Sequence, residues 1–243
     1  MPRYRLYRSA VIGATGRAGE ALTRQLLLSP LCSEVHVLGR SETRAFDGLA
    51  AAQAKLHQHR IRLSRPLCGL DASVLSGVNV AFCTLGARGG WTDADDVAAV
   101  ERDGAVRFAE LCEAARVPHI TLLSSAWATG RSRMLPFARL QGEAVDAYAA
   151  MDSFERVSIF QPSAALDAEG SLVGRDEGQL WTRALWRSVP VAAQFLPTRF
   201  RQVPLMDVIL AMRLNAELCD ARERVEMLGF KEMMQIIGRE DDI

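Results

Sequence analysis

The stretch RSAVIGATGRAGEALTRQLL, residues 8–27, constrains this chain more than any other. A short apolar run, Ala10-Val11-Ile12, meets the turn Gly13-Ala14-Thr15-Gly16-Arg17-Ala18-Gly19, and helical periodicity follows at once. A strand that passes into a helix over so few residues needs backbone free of Cβ atoms at fixed places. Gly13 suits the tight turn, Gly16 leaves the backbone open to close approach, and Gly19 lets the helix lie against the sheet. The first N–H groups of that helix and its positive dipole end then face the turn, an arrangement that suits a phosphate. The alternative is a glycine turn that serves the fold alone.

The rest of the chain continues the alternation. Strand signals at 35–38, 61–63, 79–84, 119–125 and 156–162 are separated by helical patterns at 17–28, 97–116 and 137–151. In the first helix Ala18, Ala21, Leu22 and Leu26 share one face; in the second, Val100, Val106, Leu111 and Ala115 are the expected inward positions. The strands read as mostly apolar rather than alternating, as strands covered on both faces do. The expectation is an α/β fold: a doubly wound, mostly parallel Rossmann sheet with a small C-terminal capping region. Residues 1–243 read as a single domain, with 163–243 forming the cap over the carboxyl ends of the strands and holding two or three helices and one late strand near Val225–Leu228.

Composition narrows the partners. Lys+Arg and Asp+Glu both number 29, which argues against bulk nucleic-acid binding. No apolar run approaches the roughly 18 residues of a membrane span. The five cysteines, Cys32, Cys68, Cys83, Cys112 and Cys219, never form C-x-x-C and read as reduced thiols of a reducing compartment, the cytoplasm. The short basic N-terminus, with Arg3, Arg5 and Arg8, also fits a very short organellar presequence, which keeps the mitochondrion as the alternative. His36, His57, His59 and His119 show no metal spacing, and His57 and His59 are expected to be solvated. No metal site is expected.

The turn, in its βαβ context, points to a dinucleotide. An NAD site usually ends its second strand with a carboxylate for the ribose 2′-OH. Here Gly39-Arg40-Ser41 stands in that place, and a guanidinium pairs bidentately with a 2′-phosphate. With Arg17 inside the turn, this favours NADP over NAD. The alternative is a solvated Arg40 paired with Glu42.

The spacing G-x-x-G-x-x-G, in GATGRAG, resembles the atypical short-chain dehydrogenase/reductases. HVLGR, VAFCTLGARGG, VERDGAVRFAELCEAARVPHITLLSS, LQGEAV, SIFQPS, QVPLMDVILAM and VEMLGFKEMMQIIG follow in the order of the Tat-interactive-protein-2-like oxidoreductase group, so the resemblance covers nearly the whole chain. It implies that Thr84, Leu85 and Gly86 pass along the adenine and ribose side of the nucleotide. It places Ser124 near the nicotinamide and makes Ser125 the hydroxyl that holds a substrate carbonyl, the one expected catalytic residue. Gln161-Pro162-Ser163 stands for the family's arginine-proline-glycine turn and departs from it at two positions.

The family's proton chemistry rests on Tyr-x-x-x-Lys, in which lysine lowers the tyrosine pKa. In LPFARLQGEA, Phe137 stands in the tyrosine's place and Gln141 in the lysine's. Phenylalanine has no proton to give, and an amide carries no charge. The only lysines are Lys55 and Lys231; none of Tyr4, Tyr7 and Tyr148 has a lysine four residues on. Arg133 and Arg139 are no proton donors at neutral pH. No G-x-S-x-G elbow supports a hydrolase.

Two readings follow. The first is an NADP(H)-binding protein with impaired catalysis that acts as a nucleotide-dependent binding or assembly partner, toward another protein or a second copy of itself. The second is an NADP-dependent oxidoreductase of a small carbonyl compound with a non-standard proton donor. Trp91 and Trp127 border the substrate side, as stacking surfaces or as loop closures. ARGGW reads as a lid or an ordinary connection. Arg131, Arg133, Arg199 and Arg201 read as an anion rim or a solvated face, and Trp181, Leu185 and Trp186 as packing residues.

Overall fold

The computed structural model describes residues 6–61, 72–86, 98–128, 130, 136–163, 165–166, 201–221 and 223–239. Trp91, Arg131, Arg133, Trp181, Leu185, Trp186, Arg199 and Cys68 lie outside them. β1 (Tyr7–Ile12) leads through the glycine turn into α1 (Arg17–Leu28), and then come β2 (Cys32–Gly39), α2 (Ala50–Lys55) and β3 (Leu56–Arg60). A 3-10 turn (Ala72–Leu75) precedes β4 (Val80–Cys83). A π-helical segment (Ala99–Gly104) runs into α3 (Ala105–Ala114), followed by β5 (His119–Leu123), α4 (Pro136–Ala150) and β6 (Arg156–Phe160). β7 (Ala165–Leu166), β8 (Val203–Pro204), α5 (Leu205–Leu218), β9 (Val225–Leu228) and α6 (Phe230–Ile236) complete the described chain.

Seven strands form one sheet in the order β3-β2-β1-β4-β5-β6-β9, and all six pairings are parallel. The chain order reverses between β1 and β4, the place where an open parallel sheet leaves a crevice at its carboxyl edge. Val11, Phe82 and Phe160 pack with α1, α5 and α6 on one face; Ile12, Ala81, Ile120 and Ile159 pack with α3 and α4 on the other. The expected doubly wound α/β fold is present. Helix α1 spans the residues expected of it and buries Leu22 and Leu26. Of the chain after Ser163, α5 packs on α1 and β9 joins the main sheet, while β7 and β8 pair by themselves. No described helix is long and apolar enough to cross a membrane.

Three sequence expectations change. The third strand is Leu56–Arg60, not 61–63. As an edge strand it is polar on its outer side, and Ile61 continues it by donating its N–H to Gly39 O at 2.8 Å. The inward face of the helix before β5 consists of Ala105, Phe108, Ala109 and Cys112, while Val100, Val106, Leu111 and Ala115 are only partly buried. The π-helical segment at 99–104 holds more residues per turn than an α-helix and rotates the register of everything after it. His57 is exposed as expected, but His59 is half-buried and lies within hydrogen-bonding distance of His36. Among the described residues Cys32, Cys83 and Cys112 are buried, Cys219 is half-buried, and none of the four is in a disulfide.

Candidate functional site

The crevice opens where β1 and β4 part. Gly13 has φ +90°, and a Cβ built there meets Thr84 O at 2.6 Å, Thr84 C at 2.7 Å and Leu85 N at 2.9 Å. No L side chain fits that combination of positive φ and backbone contact. Gly19 is closed off differently: a Cβ meets Gly13 O at 2.2 Å and Thr84 Oγ1 at 2.6 Å. The helix therefore rests directly on the turn. Gly16 contrasts with both, since its φ is −85° and a Cβ meets only Gly13 O, at 3.4 Å. Gly16 closes the turn by donating its N–H to Gly13 O at 2.9 Å. It is the N-cap residue of α1 and brings no side-chain cap, so the first turn's N–H groups face the crevice without one. An open backbone cradle backed by a helix start fits a diphosphate.

Around the cradle the walls are built by β2, β3 and β4. Gly13, Ala14, Thr15, Gly16, Arg40, Ser41, Leu85 and Gly86, all expected site residues, line the cleft together with Thr84. Leu38, Ile61 and Val100 add an apolar wall that the sequence reading did not assign. Ala18 and Gly19 lie below the cradle in the first turn of α1. Arg17 is exposed at that turn. Arg40 is exposed, and among the described residues no ion pair joins it to Glu42. Arg60, at the end of β3, donates its Nε–H to Arg40 O at 3.2 Å, which brings a further guanidinium to the same rim. Placing β3 too late in sequence hid Arg60; the signal for it was Leu56-His57-Gln58-His59-Arg60, a short run with polar residues on both faces such as an edge strand carries.

Ser124 and Ser125 stand at the end of β5, apart from the residues that line the cleft. Ser124 donates its N–H to Phe160 O at 2.8 Å, while its Oγ is buried with no partner. Ser125 Oγ accepts the Trp127 N–H at 3.1 Å, which leaves its own hydrogen for another acceptor. Trp127 Nε1 donates to Ser163 O at 3.1 Å, so this tryptophan ties the loop after β5 to the segment after β6, as a loop closure does. Arg201 lies over the Phe230 ring at 5.7 Å, in cation–π contact rather than on an open rim.

In α4, Phe137 and Gln141 are one helical turn apart. Gln141 Nε2 donates to Glu101 Oε2 at 3.2 Å, and Gln141 Oε1 is buried without a partner. Glu101 is 5% exposed and sits in the π-helical segment beside Val100. Its Oε1 lies 3.8 Å from where a Cβ on Gly86 would stand, so this buried carboxylate backs the cleft wall. Sequence reading missed it because the residue looks like a solvated helix charge; a π-helical turn, common at functional sites, turns it inward. Arg139 pairs with Glu143 at 3.6 Å on the outside of α4.

No protein-family model matches the sequence. Protein HTATIP2 of Rattus norvegicus is 29% identical over 235 residues, which cover 96% of this chain and 89% of that protein. Among solved structures, MoeE5 in complex with UDP-glucose and NAD superposes with a TM-score of 0.64 at 17% identity, over 94% of this chain and 80% of that one. The Bordetella bronchiseptica enzyme WbmG in complex with NAD gives 0.60 at 14% identity, over 98% of this chain and 80% of that one. A putative NAD-dependent epimerase/dehydratase from Bacillus halodurans gives 0.58 at 16% identity, over 91% of each chain. These structural likenesses establish the fold.

Proposed function

We propose that the chain is an atypical short-chain dehydrogenase/reductase of the HTATIP2-like kind, that it binds NADP(H) in the β1–α1 cleft, and that it serves as a nucleotide-dependent binding or assembly partner with impaired catalysis. The observation that carries the binding half is the contrast among three glycines. Gly13 and Gly19 are demanded by the fold, whereas Gly16 is not, and what its missing Cβ leaves open is the cradle itself. The first turn of α1 holds the diphosphate, and Arg40, Arg60 and Arg17 surround the adenosine ribose, where a 2′-phosphate gains charge-assisted hydrogen bonds. NADP over NAD rests on those guanidinium groups. Bound NADPH supplies a hydride; the chain's own residues decide whether a proton accompanies it.

The impaired half rests on Phe137 and Gln141. An amide that donates to Glu101 holds no charge with which to lower a neighbouring pKa. Loss of a general acid costs a hundredfold or more in rate. Residues 1–243 act as one domain, and the chain beyond Ser163 borders the substrate side. Its setting is the reducing cytoplasm.

One observation favours the second reading, a slow NADP-dependent reductase of a small carbonyl compound. Glu101 is a buried carboxylate behind the cleft wall, and Ser125 keeps a hydroxyl hydrogen. In that reading Ser125 holds the carbonyl oxygen and water provides the proton, with the Glu101 carboxylate as the nearby charge behind the cleft wall.

The test is a fluorescence titration with NADPH followed by a panel of aldehydes and ketones. Saturable binding without NADPH oxidation supports the first reading. Oxidation that disappears in both Ser125→Ala and Glu101→Gln, with binding kept, supports the second. No binding of either nicotinamide coenzyme overturns both.

A further inference from the structure

Three imidazoles meet on the outer part of the sheet, on the face of β2 and β3 that also carries Leu38 and Ile61. His36 and His57 are register partners, and Leu38 pairs with His59. His36 Nδ1 and His59 Nε2 are 3.1 Å apart. Their rings are within 7° of parallel, with centroids 5.3 Å apart. That separation is the N···N gap plus one ring radius at each end, so the rings lie edge to edge in one plane. This is the geometry of an N–H···N hydrogen bond.

The surroundings assign its direction. His36 Nε2 faces Glu34 Oε2 at 3.3 Å, and Glu34 is held by Arg8 at 2.9 Å. With its Nε2–H given to Glu34, His36 offers Nδ1 as acceptor, and His59 donates its Nε2–H. The His57 ring stacks on His36 at 4.9 Å. Arg8 on β1, Glu34 on β2 and His57 on β3 are the charged and titratable groups that face the pair among the described residues. The segment 72–79, which packs Leu75 and Val78 on the same face, has no titratable side chain. Burial holds His36 and His59 below the ordinary histidine range, against the opposing pull of Glu34 on His36, and charge on the neighbouring imidazoles acts in the same direction as burial.

The strands that carry this pair form the adenosine end of the cleft one step further on. Leu38, Gly39 and Ile61 line it, and the Ile61 N–H to Gly39 O bond at 2.8 Å closes β3 onto β2 there. When both imidazoles are protonated, two N–H groups point at each other and two positive charges stand at hydrogen-bond distance. The strain falls on the edge strand, which among the described residues pairs with β2 alone.

We propose that the His36–His59 hydrogen bond is an acid-sensitive latch between β2 and β3, which keeps the adenosine end of the cleft formed near neutral pH and releases a bound dinucleotide as the pH falls. This rests on the coenzyme reading above, and the experiment separates the two. NADPH affinity is measured from pH 7.5 to 5.0 for the wild type, His36→Gln and His59→Gln, with far-UV circular dichroism reporting the fold at each pH. The 2′-phosphate titrates near pH 6 in every variant, so the share of the latch is the difference between wild type and variants. Glutamine keeps a neutral donor or acceptor in place. Wild-type affinity should fall about tenfold more than that of either variant, the change that one linked proton gives per pH unit. Identical profiles overturn the latch. Absence of NADPH binding at pH 7.5 overturns the coenzyme reading instead, and the pair is then read by imidazole 15N NMR. A coupled titration of His36 and His59, both protonated on Nε2 at neutral pH, is the result expected; two independent, ordinary titrations overturn it.

Discussion

Substituting alanine at Gly16 and at Gly19 should separate what the fold needs from what a diphosphate needs. At Gly19 the new methyl stands 2.2 Å from Gly13 O and 2.6 Å from both Gly13 C and Thr84 Oγ1. Against an ordinary contact of about 3.4 Å, α1 must retreat by about 1 Å along its whole packed face, where Leu22, Leu26 and Leu27 are buried. Overpacking of that kind costs about 1–3 kcal/mol. For a chain of this length that lowers Tm by roughly 3–10 °C. At Gly16 the methyl meets only Gly13 O, at 3.4 Å, and φ is −85°. Alanine is a poorer N-cap than glycine by some tenths of a kcal/mol, but it restricts the unfolded chain by about as much, so stability should stay within about 1 kcal/mol of wild type. That methyl nevertheless projects where the diphosphate would lie. Differential scanning fluorimetry and an NADPH titration, run on both variants, give four numbers. The expected pattern is low Tm with weak binding for Gly19→Ala, and wild-type Tm with binding weakened by at least about tenfold, 1.4 kcal/mol, for Gly16→Ala. A Gly16→Ala variant that binds NADPH like the wild type refutes the cradle.

Arg40→Ala should weaken NADPH by roughly 10- to 100-fold, the worth of a charged hydrogen bond, while leaving NADH nearly unchanged; equal losses for both coenzymes would remove the argument for NADP. His119 is buried and hydrogen-bonded to Ser158 at 2.9 Å, and burial, with the Arg156 charge second, pushes its pKa down to about 3. The unfolded chain therefore binds a proton below pH 6.5 that the folded chain refuses, so stability should fall by about 1.4 kcal/mol per pH unit from there toward pH 3. Urea unfolding at several pH values, with His119→Gln as the variant that loses this slope, checks it. Phe137→Tyr with Gln141→Lys should raise NADPH-dependent carbonyl reduction a hundredfold or more, because a lysine at 141 meets the Glu101 carboxylate that now takes the amide hydrogen. A folded, NADPH-binding double variant without activity would show that more than the dyad has changed.

The parts of the fold written in local pattern were readable in sequence. The glycine turn fixed the start of α1, and mostly apolar runs marked β4, β5 and β6, strands covered on both faces, although β5 and β6 also bury the polar residues His119, Thr121, Arg156 and Ser158. β3 was placed late because Leu56-His57-Gln58-His59-Arg60 is an edge strand whose polar residues answer to tertiary partners, His59 to His36 and Gln58 to Thr43. The wrong inward face before β5 came from one non-local fact, the π-helical segment, which no periodicity template contains. The same segment explains why Glu101 was overlooked. The phosphate cradle and Arg40 were legible because their chemistry sits in consecutive residues. Arg60 and the Glu101–Gln141 contact were not, because each depends on pairing between elements far apart in the chain.

The most direct measurement is an isothermal titration of the purified chain with NADPH, followed by the same mixture exposed to simple aldehydes and ketones. Saturable, stoichiometric binding well below about 1 mM is expected, within the ordinary range for enzyme ligands, with negligible oxidation of the coenzyme. No heat of binding at millimolar NADPH, or rapid oxidation on adding a simple ketone, would contradict it.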